Sequence, residues 1–457
     1  MKESLLIAEY LSGLRYEDIT DKAVEMSKRS LLDGLGVIIA ATTLAQECRP
    51  FVSMALSAGG KEESTVIGFG LKRPSFMAAF ANAAMSHALD FEDTYDEALV
   101  HPNAASIPAA LAVGEALGGV RGKEFITALV AGSDVTSRLG LALKRDPIEF
   151  GWYMPPILNA FGATAAAGKL LKLNAKQFLD AFSLALCQAT CSAELTRNPK
   201  TVVRAVRDAF SAKTGVVSAL LAEMGVRGFE HPFEGQAGLF RLYARDEYDP
   251  SLLTNGLGRT FEGANVSFKP WPCCRGTHPF LEAAIKFLEG GQVEGWEVEK
   301  IVVTISSSPS QRVLCEPLER KRRPKTTIDA KFSIPFVLAT ALVHGDVRLR
   351  HFSCEALEDK RVLSLADRVV IEVDKGLPAG KGILEFRSGG RIIKEQTPDF
   401  VYGHPMNPMS LEEVIKKFTD CAGYSKRRIS REAQERIIER ILDLEEQDDI
   451  GVITRYL

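Results

Sequence analysis

EKIVVTISS, Glu299–Ser307, is the stretch on which the fold turns. Its centre is an unbroken run of β-branched residues and serines close it, so it reads as a strand. DRVVIEVDK (Asp367–Lys375), GILEFRS (Gly382–Ser388) and GRIIKEQTP (Gly390–Pro398) read the same way. FLEAAIKFLEGG (Phe280–Gly291) and SIPFVLATALVHGD (Ser333–Asp346) lie among them as helices, which makes this part α+β.

Everything upstream of about residue 266 is helical in pattern. Asp21–Ala41, Arg73–Phe91, Lys123–Leu143 and Ile157–Asn174 carry apolar residues at three- and four-residue spacings. Several are rich in Ala and Gly, and small residues let helix axes approach closely. Charged amphipathic helices return at Leu411–Gly423 and Arg431–Glu446. The expected fold is mainly α with an α+β second domain. Residues 1–265 and 405–457 form a discontinuous all-helical domain, and 266–404 form a smaller α+β lid. A chain of 457 residues exceeds what one hydrophobic core usually supports, in line with two domains.

Composition narrows the class of partner. The chain has 56 basic and 59 acidic residues and a net charge of −3, which gives no electrostatic reason to expect nucleic acid or a membrane surface. No stretch approaches the roughly 20 apolar residues of a membrane span. The N-terminus lacks a secretory pattern and the eight cysteines are scattered, so a reduced, cytoplasmic setting is expected.

HALDFEDTYDEALVHPNAA (His87–Ala105) crowds two histidines and five carboxylates between Ala-rich helical stretches. Its acids suit a solvated capping loop. They also suit the wall of a site, with Asp90 and Thr94 one helical turn apart and His101 beyond them. FKPWPCCRGTHPFLEAAIKF (Phe268–Phe287) places Lys269, Arg275 and His278 around a proline-rich turn. That is either a stiff linker or a cationic loop at a domain junction, where small-ligand sites tend to lie. Arg204 and Arg207 are three apart in RNPKTVVRAVRDAF, a solvated face or part of an anion site. There is no HExxH, Walker A loop or GxSxG, and no cluster has the sequence spacing of metal ligands.

Six ordered stretches, HALDFEDT followed by HP, RLGLAL, FGATAAAGKLLKL, KPWPCCRGTHP, DAKFSIPF and GHPMNPMS, resemble the MmgE/PrpD family. That family includes 2-methylcitrate dehydratase, cis-aconitate decarboxylase and iminodisuccinate epimerase. The resemblance spans nearly the whole chain. It implies a homodimer, no cofactor, and a small di- or tricarboxylate as substrate. A metal-free mechanism is expected from the missing ligand spacing, although His87 and His101, with acids between them, could in principle ligate a metal. By resemblance, Asp90, His101, Tyr153 and Lys269 are the catalytic positions, and Thr94, Arg204, Cys274, Arg275 and His278 are substrate-binding. The decarboxylase branch carries histidines where this chain has Tyr153 and Cys274, and a lysine near Arg204. A tyrosine at 153 is more like the epimerase branch.

The implied chemistry is removal of a proton from carbon next to a carboxylate. Such a step needs a base within reach and fixed cations where negative charge develops. His101 suits acid–base work, Asp90 is expected to orient it, and Lys269, Arg204 and Arg275 suit carboxylates. The remaining acids of the loop are expected to face solvent. Loss of a β-hydroxyl then makes a dehydratase, the first reading; reprotonation on the other face makes an epimerase, the second. Decarboxylation comes third, and a non-catalytic polycarboxylate-binding protein is the reading from another class.

Overall fold

The structure, a computed structural model, describes residues 3–198, 201–291 and 294–457. Small residues set the packing of its helical part. The Met154–Leu170 helix lies against Asn103–Leu117, Gly122–Leu141 and Asp208–Glu223. At Gly162 an added Cβ would stand 2.0 Å from the Thr136 hydroxyl, and at Gly132 2.9 Å from the Gly162 carbonyl. These helices pass at backbone contact, and a side chain at either glycine would force them apart.

Two further helices carry the site. Asp21–Leu44 starts at Thr20, whose hydroxyl accepts from the Ala23 amide, and runs through the core. Ser75–Ala88 is buried along almost its whole length. Between them lies a short antiparallel hairpin, β1 (Ser64–Val66) and β2 (Leu71–Arg73). The sequence pattern gave no sign of it, because three-residue strands are too short to show alternation.

The second part holds a four-stranded mixed sheet of β3 (Lys300–Ser306), β4 (Val369–Asp374), β5 (Gly382–Ser388) and β6 (Arg391–Gln396), in the order β4-β3-β5-β6. The central strand β3 pairs parallel with β4, Val303 opposite Ile371, and antiparallel with β5, Val303 opposite Leu384. The His278–Glu289 helix covers β5 and β6, with Phe287 stacked on Phe386 at 4.0 Å. All eight cysteines are free.

After the sheet the chain comes back to its first helices. Leu411–Ala422 packs on Asp21–Leu44, so closely that a Cβ on Gly36 would stand 3.2 Å from the Phe418 Cα. Among the described residues no single helix is long and apolar enough to cross a membrane.

Candidate functional site

The site begins where the Ser75–Ala88 helix stops. Asp90 has φ +49°, in the left-handed region, and its amide donates to the His87 carbonyl. The chain therefore turns out of the helix instead of continuing it. This corrects the expected helical turn joining Asp90 to Thr94. Two buried lysines from distant parts of the chain hold the turn. Lys331 Nζ donates to the Leu89 carbonyl at 2.8 Å. Lys269 Nζ donates to the Asp90 carbonyl at 3.0 Å and to its Oδ1 at 2.5 Å.

Backbone bonds set the position of Lys269. The Thr94 amide donates to the Ser267 carbonyl and the Ser267 amide returns the bond at 2.6 Å. The next amide, Phe268, donates to the Gly403 carbonyl at 3.0 Å. Gly403 has φ +89°, and a Cβ there would stand 1.9 Å from the Phe268 carbonyl, which explains the glycine of GHPMNPMS. Lys417, from the returning C-terminal helix, donates to the carbonyls of Phe91 and Lys269 and pairs with Asp33 at 2.6 Å.

His101 faces the same turn. Its Nδ1 lies 2.9 Å from Glu92 Oε1 and 3.2 Å from the Asp93 carbonyl. His87 Nδ1 contacts the same Glu92 oxygen, and the two imidazole centres are 4.9 Å apart. Arg207 Nη1 contacts His87 Nε2. The Arg207 guanidinium lies 5.1 Å from the centre of the Tyr153 ring and that of Arg204 5.8 Å from it. Arg204 also stacks over Phe332 at 3.4 Å. Tyr153 sits at the N-terminus of the Met154–Leu170 helix, its amide donating to the Cys191 carbonyl. Arg204 Nε and Arg207 Nη2 are buried without a hydrogen-bond partner, and Arg207 Nε has only the Asp208 carboxylate, 3.7 Å away and beyond hydrogen-bond reach. Buried donors are costly to leave without a partner. Arg207 also lines a cavity of about 800 Å³ with Pro156, Ser192, Leu195 and Phe210.

The electrostatics follow from this arrangement. Burial is the largest influence on the Asp90 carboxylate and disfavours it, but Lys269 together with the two histidines outweighs it and holds Asp90 below the usual aspartate range. Burial likewise opposes charge on Glu92, and His87, Lys269 and His101 hold it well below its usual range. The Lys269 ammonium is itself favoured, because Asp90 and Glu92 outweigh its burial. Burial and then Arg207 push His87 down, which disfavours its imidazolium.

The structure thus brings Asp90, His101, Tyr153, Lys269 and Arg204 into one neighbourhood, Asp90 and Lys269 buried and the other three partly exposed, and it corrects several roles. Glu92, not Asp90, orients His101; Asp90 is the counter-ion of Lys269. Glu92 and Asp93 are buried rather than facing solvent. The Thr94 hydroxyl donates to the Val100 carbonyl, so Thr94 braces the loop. Arg275 is spent on Asp96 and on the Tyr402 carbonyl, its Nε 3.0 Å from the carboxylate. His278 is buried with Nε2 3.1 Å from the Cys273 carbonyl and its ring against Trp271. Neither is free for a substrate. Cys274 lies near Asp90, Arg204 and Lys269, its amide donating to the Lys331 carbonyl and its thiol pushed up by burial.

Sequence reasoning missed His87, Glu92, Lys331 and Lys417 as site residues and left Arg207 unassigned. The acids and His87 stood in the stretch singled out, but nothing in one sequence says which carboxylate meets which imidazole. The donor groups of His87, Asp90, Glu92 and His101 lie within 4.8 Å of one another, a metal-like grouping that includes both histidines of the acidic stretch. Lys269 and Arg207 already contact two of the four, so a divalent cation there would sit against two fixed cations.

Comparison with known proteins places the chain in a family. The family model for the MmgE/PrpD N-terminal domain matches residues 6–251, and that for the MmgE/PrpD C-terminal domain matches residues 271–446. Human cis-aconitate decarboxylase is 26% identical over 472 residues, covering 98% of this chain and 93% of that protein. The cis-aconitate decarboxylase-like protein oryM of Aspergillus oryzae is 26% identical over 474 residues, 97% of this chain and 95% of the relative. The 2-methylcitrate dehydratase of Salmonella typhimurium is 24% identical over 489 residues, 97% and 93% of the two chains. Decarboxylase and dehydratase are both lyase activities. With the N-terminal model over residues 6–251 and the C-terminal model over 271–446, most of the chain is matched, and it belongs to the MmgE/PrpD family.

Proposed function

We propose that this enzyme removes a proton from the carbon next to a carboxylate of a small di- or tricarboxylic acid and expels a β-hydroxyl, as a 2-methylcitrate dehydratase-like lyase. The observation that carries the reading is the unpaired guanidinium nitrogens of Arg204 and Arg207 beside Tyr153, on the same buried site as the Glu92-held His101. The arginines take a substrate carboxylate, and arginine geometry favours bidentate contact. His101 takes the α-proton. Negative charge grows on the carboxylate as the C–H bond breaks, and Lys269 with the two arginines stabilises it. The C–C double bond forms as the C–O bond breaks. Tyr153 gives its proton to the departing hydroxyl, which leaves as water, and the two guanidinium groups stabilise the phenolate.

Tyr153 favours a second reading, epimerisation, in which it returns a proton to the opposite face of the same carbon. Decarboxylation stands third. It is the activity named for several relatives, but Tyr153 and Cys274 replace the histidines of that branch. A panel of hydroxy-, imino- and unsaturated di- and tricarboxylates, followed by NMR in deuterated water, separates the three. Loss of water with an alkene product supports dehydration, and deuterium incorporation with inversion alone supports epimerisation. No exchange with any member sinks the shared step.

The helical stretches at the two chain ends are proposed as one discontinuous domain, with the sheet part as a lid over the site. The packing of Lys417 and Phe418 on Asp21–Leu44 supports this. Hydrogen exchange protecting Leu411–Ala422 together with the sheet, and not with Asp21–Leu44, would count against it. Assembly as a homodimer is proposed with it, since Phe210 is a large apolar side chain left exposed beside the Phe51 and Phe80 rings, and Met54 is exposed on the same helix as Phe51. Sedimentation at micromolar concentration checks it, and a monomer would contradict it.

A further inference from the structure

We infer that Arg207, His87 and Glu92 form a chain of positioning residues that fixes the tautomer of His101 and leaves its Nε2 as the atom that takes the substrate proton. The inference rests on the proposed acid–base role of His101. It follows from which groups can donate and which can only accept.

A guanidinium has donors and no acceptor. Arg207 Nη1 contacts His87 Nε2, so that nitrogen accepts. His87 is fully buried and neutral, and a neutral imidazole that accepts at Nε2 carries its hydrogen on Nδ1. His87 Nδ1 faces Glu92 Oε1, and so it donates there. Glu92 is ionised and can only accept. His101 Nδ1 lies 2.9 Å from that same oxygen and 3.2 Å from the Asp93 carbonyl. Two acceptors therefore face His101 Nδ1 and none of its neighbours there can donate. Nδ1 must carry the hydrogen, which leaves the lone pair of neutral His101 on Nε2.

The two imidazoles differ accordingly. Both nitrogens of His87 are engaged and its ring is sealed. His101 is 13% exposed, and only its Nδ1 is held. When the substrate C–H bond breaks, its proton goes to His101 Nε2 and the electron pair stays with the substrate. The imidazolium that forms keeps its Nδ1–H on the Glu92 carboxylate, which stabilises the new charge. Arg207 and His87 act at one remove, because they keep Glu92 an acceptor on the side His101 uses.

The test uses the full chain labelled with nitrogen-15 at histidine and long-range proton–nitrogen NMR, with His101→Ala to assign the ring. The expected result is His101 with hydrogen on Nδ1 and an unprotonated Nε2. Glu92→Gln puts an amide where the shared oxygen stood. It is expected to move His101 toward the Nε2–H form and to lower kcat by about 10²- to 10⁴-fold with KM little changed. Glu92→Asp keeps an acceptor and should recover much of that loss. An Nε2–H form in the unaltered chain overturns the inference, and so does a folded Glu92→Gln variant with unchanged kcat. If Glu92→Gln does not fold, the spectrum of the unaltered chain decides alone. Full turnover in His101→Ala with the Nδ1–H form intact would instead remove the proposed role of His101 and leave the tautomer standing, so the two failures are distinguishable.

Discussion

Glu92 and Asp93 are neighbours in the chain, both carboxylates and both buried, yet they are driven in opposite directions. Glu92 has the His87 and His101 imidazoles as hydrogen-bond partners and the Lys269 ammonium nearby, and these overcome its burial and keep it charged. Asp93 faces the Ser30 hydroxyl and the Asn103 amide, each at 2.6 Å, with Asp33 behind them. Burial first, then the Asp33 charge, push its carboxyl up to about 7. One residue of register separates a charged, cation-facing side of the loop from a braced, partly neutral side that joins it to the first helix. Burial alone did not decide the charge state. The charge each one stands near, the Lys269 ammonium or the Asp33 carboxylate, tipped the balance.

The largest break in this comparison is expected from Lys269→Ala. It leaves Asp90 buried without its counter-ion, which typically costs about 3–5 kcal/mol. Binding and turnover should fall together, since a carboxylate-facing cation acts in ground state and transition state alike. Urea denaturation and initial rates check both, and a change under about 1 kcal/mol would mean the pair behaves as a surface contact.

Tyr153→Phe comes next. Epimerisation should vanish while exchange of the α-proton with deuterium survives, because His101 remains. Dehydration should fall by only about 10²-fold, the low end for a lost general acid. Measuring both reactions on one substrate separates the readings.

Asp93→Asn tests the braced side through pH. Between about 4, the ordinary aspartate value, and about 7 the folded chain keeps a proton that the unfolded chain has released. Stability contributed by this group therefore falls as pH rises across that window, by at most about 1.4 kcal/mol per unit. The asparagine variant should lose this slope and gain stability relative to the parent toward pH 7. Identical denaturation profiles from pH 4 to 7 would place Asp93 in an ordinary carboxylate environment.

The smallest expected effect is that of chelation. Lys269 and Arg207 already contact the metal-like group of His87, Asp90, Glu92 and His101, so activity should survive exhaustive removal of metal. Loss that zinc, iron or magnesium restores would contradict this.

Much of the fold was legible because its signals are local. Helical spacing marked the long helices, and the β-branched run at Ile301–Ile305 fell within β3. The β1–β2 hairpin was too short to register. In the site, Asp90, His101, Tyr153 and Lys269 came from resemblance, whereas their pairings depend on tertiary facts. Asp90 leaves the helix in a left-handed conformation that only the folded turn specifies. Lys417 reaches the Lys269 carbonyl from 148 residues away, and no periodicity in either segment announces that contact. Arg207 and Arg204 look alike in sequence, but Arg207 lies over a buried imidazole and Arg204 over the Phe332 ring.

The central claim is that His101, held by Glu92, removes the α-proton. The measurement that tests it most directly is deuterium incorporation at the α-carbon of a turned-over polycarboxylate, by NMR, in the parent and in folded His101→Ala. A drop in exchange of about 10²- to 10⁴-fold is expected, with the fold and carboxylate binding retained. Exchange at the parental rate in His101→Ala would contradict it and move the base to another group in the site.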